Sequence, residues 1–253
     1  MKKIFYLAVK DMKIRLKYKF VWINMALTPF FIIGPYVFSS RIVEVNSLAE
    51  SVMIGALLWY WLNQYFFGVG DGFTEEREEG ALISVILSPV SLLAFLLSKS
   101  VDTFLMNLYI TFFTLIFFNL SGVKLEIHLL FFLLLIISGV YITFFSIFFA
   151  ALSLWKKKIG SINSTTQFFF GILSGMVNPV EHFPHYIRFI SYAIPLTYLI
   201  SIGRNIMKNE NGSNFISQLL ILTALSFAYL IFGIWLLRKA ENEIRRKGEW
   251  ETW

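Results

Sequence analysis

Six long apolar stretches, separated by short polar segments, dominate the pattern of the chain. Each stretch is close to the roughly 20 residues that a helix needs to cross a lipid bilayer. The pattern therefore predicts six transmembrane helices in an all-α, polytopic membrane protein. The predicted spans cover residues 20–39, 51–69, 100–120, 127–152, 161–177 and 216–237.

An apolar but interrupted region, residues 178–208, precedes the last predicted span. Pro179, Pro184 and Pro195 break this region, which argues against one continuous helix. We expect one or two short helices that dip into the edge of the membrane, with their irregular backbone shielded by protein. The sequence thus predicts a re-entrant helical region at this point.

Apolar side chains recur at helical spacing near the start of the chain, in residues 1–19. They are Phe5, Ala8, Met12 and Leu16, and lysines occupy other positions of the helical wheel. This pattern is typical of an amphipathic helix that lies along a membrane with its basic face toward anionic lipid. The alternative is a basic orientation signal that forms no helix of its own.

The composition agrees with a membrane protein. Hydrophobic residues make up 57% of the 253 residues, against about 45–50% in an ordinary soluble domain. The chain has no cysteine, which excludes a disulfide framework. Its net charge of +6 is interpreted as a membrane-orientation signal and not as a nucleic-acid site. We expect a single membrane domain over residues 1–253, in contact with lipid.

Lysine and arginine residues lie mostly on one side of the predicted spans. With the N-terminus inside, the residues on the outer side are Arg41, Lys124, Arg188, Arg204 and Lys208. Because basic residues are enriched on the cytoplasmic side of membrane proteins, both termini are predicted to be cytoplasmic in a cell membrane. The re-entrant region is then predicted to face outward.

A short acidic island, residues 71–80, separates the second and third predicted spans. Its four carboxylates flank Arg77 and belong to Glu75, Glu76, Glu78 and Glu79. Apolar residues then recur at helical spacing at Leu82, Ile83, Ile86 and Leu87. A charged segment of this kind cannot lie in hydrocarbon. Residues 71–90 therefore predict a short amphipathic helix on the membrane face that presents carboxylates to a soluble partner, and the alternative is a solvated loop.

Motifs of known catalytic sites are absent from the sequence. There is no Gly-x-x-x-x-Gly-Lys-Ser/Thr phosphate loop, no His-Glu-x-x-His and no Gly-x-Ser-x-Gly. The pair Lys99-Ser100 lacks the glycines that let backbone amides surround a phosphate. We expect neither catalytic residues nor a bound metal in this chain.

Two alternative functions use the few ionisable residues in or beside the predicted spans. Asp102, near the inner end of the third span, is interpreted as an interfacial charge, and its alternative role is the proton or cation site of an ion-coupled secondary transporter. Glu181, His182 and His185 could share one face and bind a metal in a membrane enzyme, although a proline separates the histidines.

Two glycines in the fifth predicted span form a Gly-x-x-x-Gly pattern, at Gly171 and Gly175. Such a pair lets two helices approach closely. The pattern is therefore a candidate subunit contact, although it also occurs by chance in apolar helices.

Two motifs resemble those of type-2 ABC transporter permeases. The first, similar to the cytoplasmic loop of the family, is Glu-Arg-Glu-Glu-Gly-Ala-Leu over residues 76–82 with Leu-Ser-Pro-Val-Ser over 87–91. The second, similar to the signature before the last span, is Phe183-Pro184, Ile187-Arg188, Ile194-Pro195-Leu196-Thr197-Tyr198 and Gly203-Arg204. Ala81 and Ile83-Ser84 stand where Thr and Glu are common in the family. Together with the six-span layout, the resemblance covers essentially the whole chain.

The resemblance implies the membrane subunit of an ATP-driven exporter. Two permease chains, as a homodimer, would form the translocation pathway, and separate ABC ATPase subunits would bind ATP and Mg. This chain would bind no cofactor. Residues 75–87 would include a cytoplasmic coupling helix. The implied ATPase contacts are Glu75, Glu76, Arg77, Glu78, Glu79, Gly80, Leu82, Ile83, Ile86 and Leu87.

The resemblance also implies a role for the outward region 178–208. This region would line or gate the exit, and its implied gate residues are Phe183, Pro184, Arg188, Pro195, Tyr198 and Arg204. The Ser-Pro-Val-Ser element looks more like the drug-efflux type than the polysaccharide type. The expected cargo is therefore a drug-like, lipid-like or otherwise amphipathic molecule.

Overall fold

The computed structural model describes residues 2–41, 46–122, 129–156, 160–207 and 214–247. Within these ranges the chain forms helices and no β-strand, which confirms the predicted all-α class. The helices are α1 (Lys2–Leu16), α2 (Lys19–Arg41), α3 (Asn46–Tyr65), α4 (Gly72–Glu78), α5 (Leu82–Leu87), α6 (Leu92–Leu120), α7 (Leu129–Trp155), α8 (Gly160–Leu173), α9 (His185–Ser191), α10 (Pro195–Met207) and α11 (Asn214–Lys247). A π-helical turn, Phe66–Gly70, extends α3, and a 3-10 turn, Val180–His182, precedes α9.

Four of the described helices are long and apolar enough to cross a membrane. They are Lys19–Ser39 within α2, Leu92–Leu120, Leu129–Trp155, and Phe215–Arg246 within α11. A fifth crossing results if α9 and α10, which are bent by 93° relative to each other, form one broken span. The predicted spans 51–69 and 161–177 correspond to α3 with its π-helical turn and to α8, which are not among these four. The chain is a multi-pass membrane protein, and the count of six spans stays a prediction.

Two of the long helices extend beyond their predicted spans. Helix α6 begins at Leu92 and not near residue 100, because Ser91 caps it: the Ser91 hydroxyl accepts a hydrogen bond from the Ala94 N–H at 3.2 Å. Helix α11 continues past residue 237 to Lys247. The predicted spans were shorter because hydrophobicity identifies only the apolar part of a helix. The additional turns carry charged residues, such as Lys99 and Arg245, that bind other parts of the chain.

Helix α3 lies at the centre of the bundle. Nearly every side chain from residue 52 to residue 65 is buried, including Trp59, Trp61 and Tyr65. Helices α2, α6, α7, α8 and α10 pack around it. A helix that is apolar on all sides is typically buried within a protein, and α3 is shielded from lipid in this way.

The two glycines of the Gly-x-x-x-Gly pattern have roles within this one chain. A Cβ at Gly171 would lie 2.5 Å from Nε1 of Trp59, so α8 approaches α3 closely there. Gly175 has a φ of +80°, which favours glycine, and it follows the end of α8. At this end the Met176 N–H donates to the carbonyl of Gly171 at 3.1 Å. The pattern therefore positions α8 against α3 and ends α8.

Residues 2–16 of the predicted N-terminal helix form α1, which packs along α6. Ala8 of the predicted apolar stripe is buried, whereas Phe5 and Leu16 of the same stripe are 68% and 56% exposed. The stripe is therefore divided between a contact with this chain and an outer surface. Its placement along a lipid surface stays a prediction.

The short helices lie at opposite ends of the bundle. Helices α4 and α5 share one end with α1, the start of α6 and the ends of α7 and α11. Helices α9 and α10 lie with the start of α3 and the end of α8 at the other. Four of the lysines on which the predicted orientation depends, Lys124, Lys157, Lys158 and Lys208, lie outside the described residues. Which end of the bundle is cytoplasmic therefore stays a prediction.

Candidate functional site

The acidic island and the segment after it form two short helices joined by a tight turn at Gly80. The Gly80 N–H donates to the Arg77 carbonyl at 3.1 Å, and the Ala81 N–H donates to the Glu76 carbonyl at 2.8 Å. This pair of bonds is the Schellman arrangement, in which glycine supplies the positive φ, here +70°. The turn leaves Glu78, Glu79 and Gly80 exposed to solvent.

Apolar side chains anchor this segment to the bundle. Phe73 of α4 is fully buried and stacks on Phe95 of α6, with ring centroids 5.6 Å apart. Leu82 and Ile86 of α5 are each only 4% exposed, whereas Leu87 is 69% exposed. Leu82 and Ile86 therefore pack within this chain and do not face a partner in this conformation.

Only part of the contact surface that the family resemblance implies is exposed in this conformation. Its exposed members are Glu75, Glu78, Glu79, Gly80 and Leu87, with Ile83 partly exposed. The exposed surface of the segment thus combines carboxylates of α4 and the turn after it with one apolar side chain at the end of α5. Such a surface suits a partner that offers basic or polar groups around a small apolar depression.

Lys99 of α6 binds two glutamates of the acidic island. Its Nζ lies 3.4 Å from Oε1 of Glu76 and 3.7 Å from Oε2 of Glu75. Glu76 is mostly buried in this contact, whereas Glu75 remains more than half exposed. Lys99 thus holds α4 against α6, and Glu76 belongs to the attachment of the segment more than to its outer surface.

Arg77 points inward from the island. Its Nη2 lies 3.5 Å from the carbonyl oxygen of Leu154 at the end of α7. Partial burial lowers the pKa of the Arg77 guanidinium from its ordinary value, but an arginine remains charged at neutral pH. Arg77 therefore links α4 to α7, in addition to separating the four carboxylates along the sequence.

Asp102, the alternative ion-coupling residue, is paired with an arginine from α1. Its Oδ2 lies 3.1 Å from Nη2 of Arg15, and the Asp102 side chain is only 1% exposed. The neighbouring Lys99 instead binds the island glutamates. One turn of α6 therefore holds both α1 and α4, through charges that are close together on the same helix.

The end of α11 contacts the same region from another direction. Nη2 of Arg245 donates to the Ile86 carbonyl at 3.3 Å and also binds Glu241 at 2.9 Å. Nearby, the indole N–H of Trp155 donates to Glu243 at 2.9 Å, which joins α7 to α11. The contacts of Arg245 with Ile86 and of Trp155 with Glu243 join segments that are far apart along the chain, and neither was predicted from the sequence.

At the opposite end, Arg204 of α10 is buried and binds two backbone carbonyls. Its Nε donates to Ser51 at 3.2 Å, and its Nη2 donates to Met176 at 2.9 Å. Ser51 lies near the start of α3, and Met176 follows α8. Arg204 therefore links α10 to the start of α3 and to the segment that follows α8. The sequence did not indicate these contacts.

The remaining predicted gate residues shape the turns around α9. Pro184 immediately precedes α9 and Pro195 begins α10, where proline is well tolerated because the first helical N–H groups have no partner in the helix. Nη2 of Arg188 donates to the carbonyls of Glu181 at 2.6 Å and Phe183 at 3.1 Å. The described part of residues 178–208 forms a 3-10 turn and two short helices, and the re-entrant placement of this region stays a prediction. Lys208 lies outside the described residues.

Tyr198 and the two histidines are further polar residues of this region. The Tyr198 hydroxyl donates to the Tyr192 carbonyl at 3.1 Å. His182 and His185 are exposed to solvent. Among the described residues, these histidines and Glu181 do not form a group of three that could hold a metal ion. The geometry therefore gives no support to the metal-enzyme alternative.

The fold defines a helical, multi-pass membrane protein with a compact polar segment at each end. Residues 20–235 match the family described as ABC-2 family transporter protein. The chain belongs to this family, and it is a membrane permease of an ABC transporter. Permeases of the family are transport subunits, generally not catalytic, and in general have an ABC ATPase as partner. None of the curated proteins compared with the chain matches it.

Proposed function

We propose that this chain is the transmembrane permease subunit of an ABC exporter, driven by separate ATPase subunits that bind ATP and Mg. Two copies would form the translocation pathway, and the cargo would be a drug-like, lipid-like or otherwise amphipathic molecule. Both termini would be cytoplasmic, in a cell membrane. The observation that supports this proposal most directly is the exposed acidic tip of α4 and α5 on a chain of the ABC-2 family.

Six spans are part of the proposal. Helix α3 starts beside Arg204 at the α9–α10 end and leads through its π-helical turn into α4 at the other end. Helix α8 ends at the same arginine, next to Met176. Both helices would cross the membrane within the bundle, together with the four long helices. Because α3 is covered by protein on all sides, it does not need a strongly lipophilic surface.

The contacts around the tip suggest how movement of an ATPase would reach the spans. Phe73 and the Lys99 ion pairs connect α4 to α6, and Arg245 connects α5 to α11. The ion pair between Arg15 and Asp102 connects α6 to α1. Closely packed elements tend to move as units, so displacement of the α4–α5 segment would shift α1, α6 and α11 together.

Ion-coupled transport is not proposed as a second function. Asp102 is occupied by Arg15, and this pairing accounts for a carboxylate inside a helix of this kind. The pairing also joins two helices that flank the proposed docking segment. A structural tie between α1 and α6 is therefore the role that the geometry of Asp102 favours.

The proposed docking can be tested by purifying the tagged chain in mild detergent and identifying the proteins that accompany it. We expect an ATPase with a phosphate loop in near-equal amount, and we expect Glu79→Lys to remove it. The matched control is Asn178→Lys/His182→Lys, which adds the same charge at exposed positions of the opposite end.

Two results would contradict this proposal. A chain that purifies without any ATPase or nucleotide hydrolysis would argue against the ATP-driven exporter. Equal loss of the ATPase in the Glu79 variant and in the control would show that docking depends on general charge and not on the tip of α4–α5.

A further inference from the structure

We propose that each chain binds one anionic phospholipid where the end of α7 meets α11, with the phosphate of the lipid held by Lys156 and Lys239. The site lies at the end of the bundle that carries α4 and α5, because α7 and α11 contact these short helices there. A single chain forms the site, so the inference does not rest on the proposed homodimer or on an ATPase.

Two ammonium groups share one indole ring at this position. Nζ of Lys156 and Nζ of Lys239 each lie 4.7 Å from the ring centroid of Trp155. The two nitrogens are thus at most twice this distance apart, which is close to the Debye length of about 8–10 Å at physiological salt. Neither ammonium forms an ion pair in the part of the chain that the structure describes. Two unpaired like charges so placed favour an anion between them.

Basic residues outnumber acidic ones around this indole. Lys156 is the first of three consecutive lysines in the sequence, and the exposed Arg238 directly precedes Lys239. Glu243 contributes the opposing charge, one helical turn after Lys239, and its Oε2 accepts the hydrogen bond of the Trp155 indole at 2.9 Å. The local excess of positive charge selects an anionic lipid over a zwitterionic one.

An exposed apolar face of α11 leads away from these charges. Ile231, Trp235 and Lys239 are spaced four residues apart and therefore share one face of the helix. Ile231 and Trp235 are exposed, and Nζ of Lys239 lies 5.5 Å from the ring centroid of Trp235. Tryptophan is enriched where a membrane meets water. An acyl chain can thus lie on Ile231 while the phosphate of the same lipid meets Lys239.

The Trp235 indole offers a free hydrogen-bond donor at the level of the lysines. Its side chain is 59% exposed, and its N–H has no partner among the residues that the structure describes. The N–H of Trp155, in contrast, is used by Glu243. The Trp235 N–H can therefore donate to a phosphate or ester oxygen of the lipid, while its ring stays in contact with apolar groups.

A lipid at this position would join α7 to α11 beside the segment formed by α4 and α5. The carbonyl of Leu154, next to Trp155, is 3.5 Å from Nη2 of Arg77 on α4. Further along α11, Arg245 donates to the Ile86 carbonyl of α5. Because a ligand stabilises the state that binds it, we expect the lipid to raise the unfolding temperature of the chain.

The test is native mass spectrometry of the delipidated chain alone, titrated in detergent with phosphatidylglycerol, phosphatidylcholine or the water-soluble headgroup glycerophosphoglycerol. We expect one phosphatidylglycerol to bind each chain before further lipids do and more tightly than phosphatidylcholine, with no binding of the headgroup. Lys156→Gln and Lys239→Gln should each weaken this binding roughly fivefold, the effect of one basic residue near an anionic lipid. Lys239→Arg, which keeps the charge, should retain it.

The matched control is Lys13→Gln, which removes the same charge from an exposed position of α1 at the same end of the bundle. It should leave the affinity for the first lipid unchanged. Unfolding temperatures of the lipid-free variants separate loss of binding from loss of structure.

Four results would overturn the inference. They are equal affinity for phosphatidylglycerol and phosphatidylcholine, full binding to the double variant Lys156→Gln/Lys239→Gln, an equal loss in Lys13→Gln, and binding of the headgroup as tight as that of the lipid. The third would show dependence on general charge, and the fourth would show a phosphate site that does not need acyl chains. Because every measurement is made without an ATPase, this inference and the proposed docking fail independently.

Discussion

The carboxylate of Asp102 on α6 lies 3.1 Å from the guanidinium of Arg15 on α1, and the two partners differ in their access to solvent. The Asp102 side chain is 1% exposed and that of Arg15 is 36% exposed. Arg15 is therefore the group that compensates a buried carboxylate, and its removal would leave the Asp102 side chain without its ion-pair partner. This asymmetry makes the two residues unequal targets for substitution.

Replacement of Arg15 by glutamine is predicted to destabilise the chain by about 2–3 kcal/mol, somewhat less than the loss of a partner in a fully buried pair. The effect would appear as a lower unfolding temperature in detergent. The double variant Arg15→Gln/Asp102→Asn should recover much of the loss, because the buried charge is gone. Equal unfolding temperatures for the single and double variants would show that the ion pair does not hold α1 to α6.

Substitution of Gly55 by alanine is predicted to destabilise the α9–α10 end by about 1–3 kcal/mol. A Cβ at Gly55 would collide with the carbonyl oxygen of Met176 and would lie 3.0 Å from Nη2 of Arg204. Because a backbone carbonyl cannot rotate away, α3 would be displaced from the contact that Arg204 makes with it. The effect is measured as the unfolding temperature of the purified chain.

Gly34→Ala in α2 is the matched control for this substitution. Among the described residues its Cβ would meet only Phe38, at 3.4 Å and 3.6 Å, which are ordinary contacts. Alanine also favours helix over glycine by about 1 kcal/mol, so this variant should be unchanged or slightly more stable. Similar losses in both variants would mean that the close approach at Gly55 is not a constraint.

Substitution by alanine is predicted to have a different effect on stability at each of two leucines of α5. Leu82→Ala should cost about 2–5 kcal/mol of stability, because this side chain is 4% exposed. Leu87→Ala should change stability by less than about 0.5 kcal/mol, since Leu87 is 69% exposed. Under the proposed function, Leu87→Ala should instead reduce the amount of ATPase that copurifies with the chain.

Unfolding temperature and ATPase recovery, measured on both leucine variants, check this prediction. A Leu87 variant that is as unstable as the Leu82 variant would contradict the burial pattern of α5. A stable Leu87 variant that keeps its full complement of ATPase would leave the burial pattern intact, but would remove Leu87 from the proposed docking surface.

The helical spacing of apolar residues in α5 was readable from the sequence, but the direction they face was not. Leu82, Ile83, Ile86 and Leu87 define a stripe, and the family resemblance implied that all four contact the ATPase. Burial against this chain and burial against a partner remove the same apolar surface from water. The pattern alone therefore cannot distinguish Leu82, which packs inward, from Leu87, which faces outward.

For charged residues at both ends of the bundle, the sequence likewise did not identify the interaction partners. Asp102 was interpreted as an interfacial charge near the end of its span, and nothing local identified Arg15 as its partner. The family resemblance implied a gate role for Arg204, but nothing in the sequence identified the carbonyls at the start of α3 and after α8 that it binds. Backbone carbonyls have no sequence signature, so such contacts appear only when distant segments meet.

The sequence by itself determined that the chain is helical, enters the membrane several times, and carries a charged segment and a proline-broken segment between apolar stretches. Local rules are sufficient for this, because helix periodicity, proline and hydrocarbon solubility act on neighbouring residues. The tertiary structure alone decided which faces are buried, which charges pair, and that Lys239 of α11 lies over Trp155 of α7. These features depend on contacts between helices that are distant in sequence, and their energies exist only once the bundle has packed.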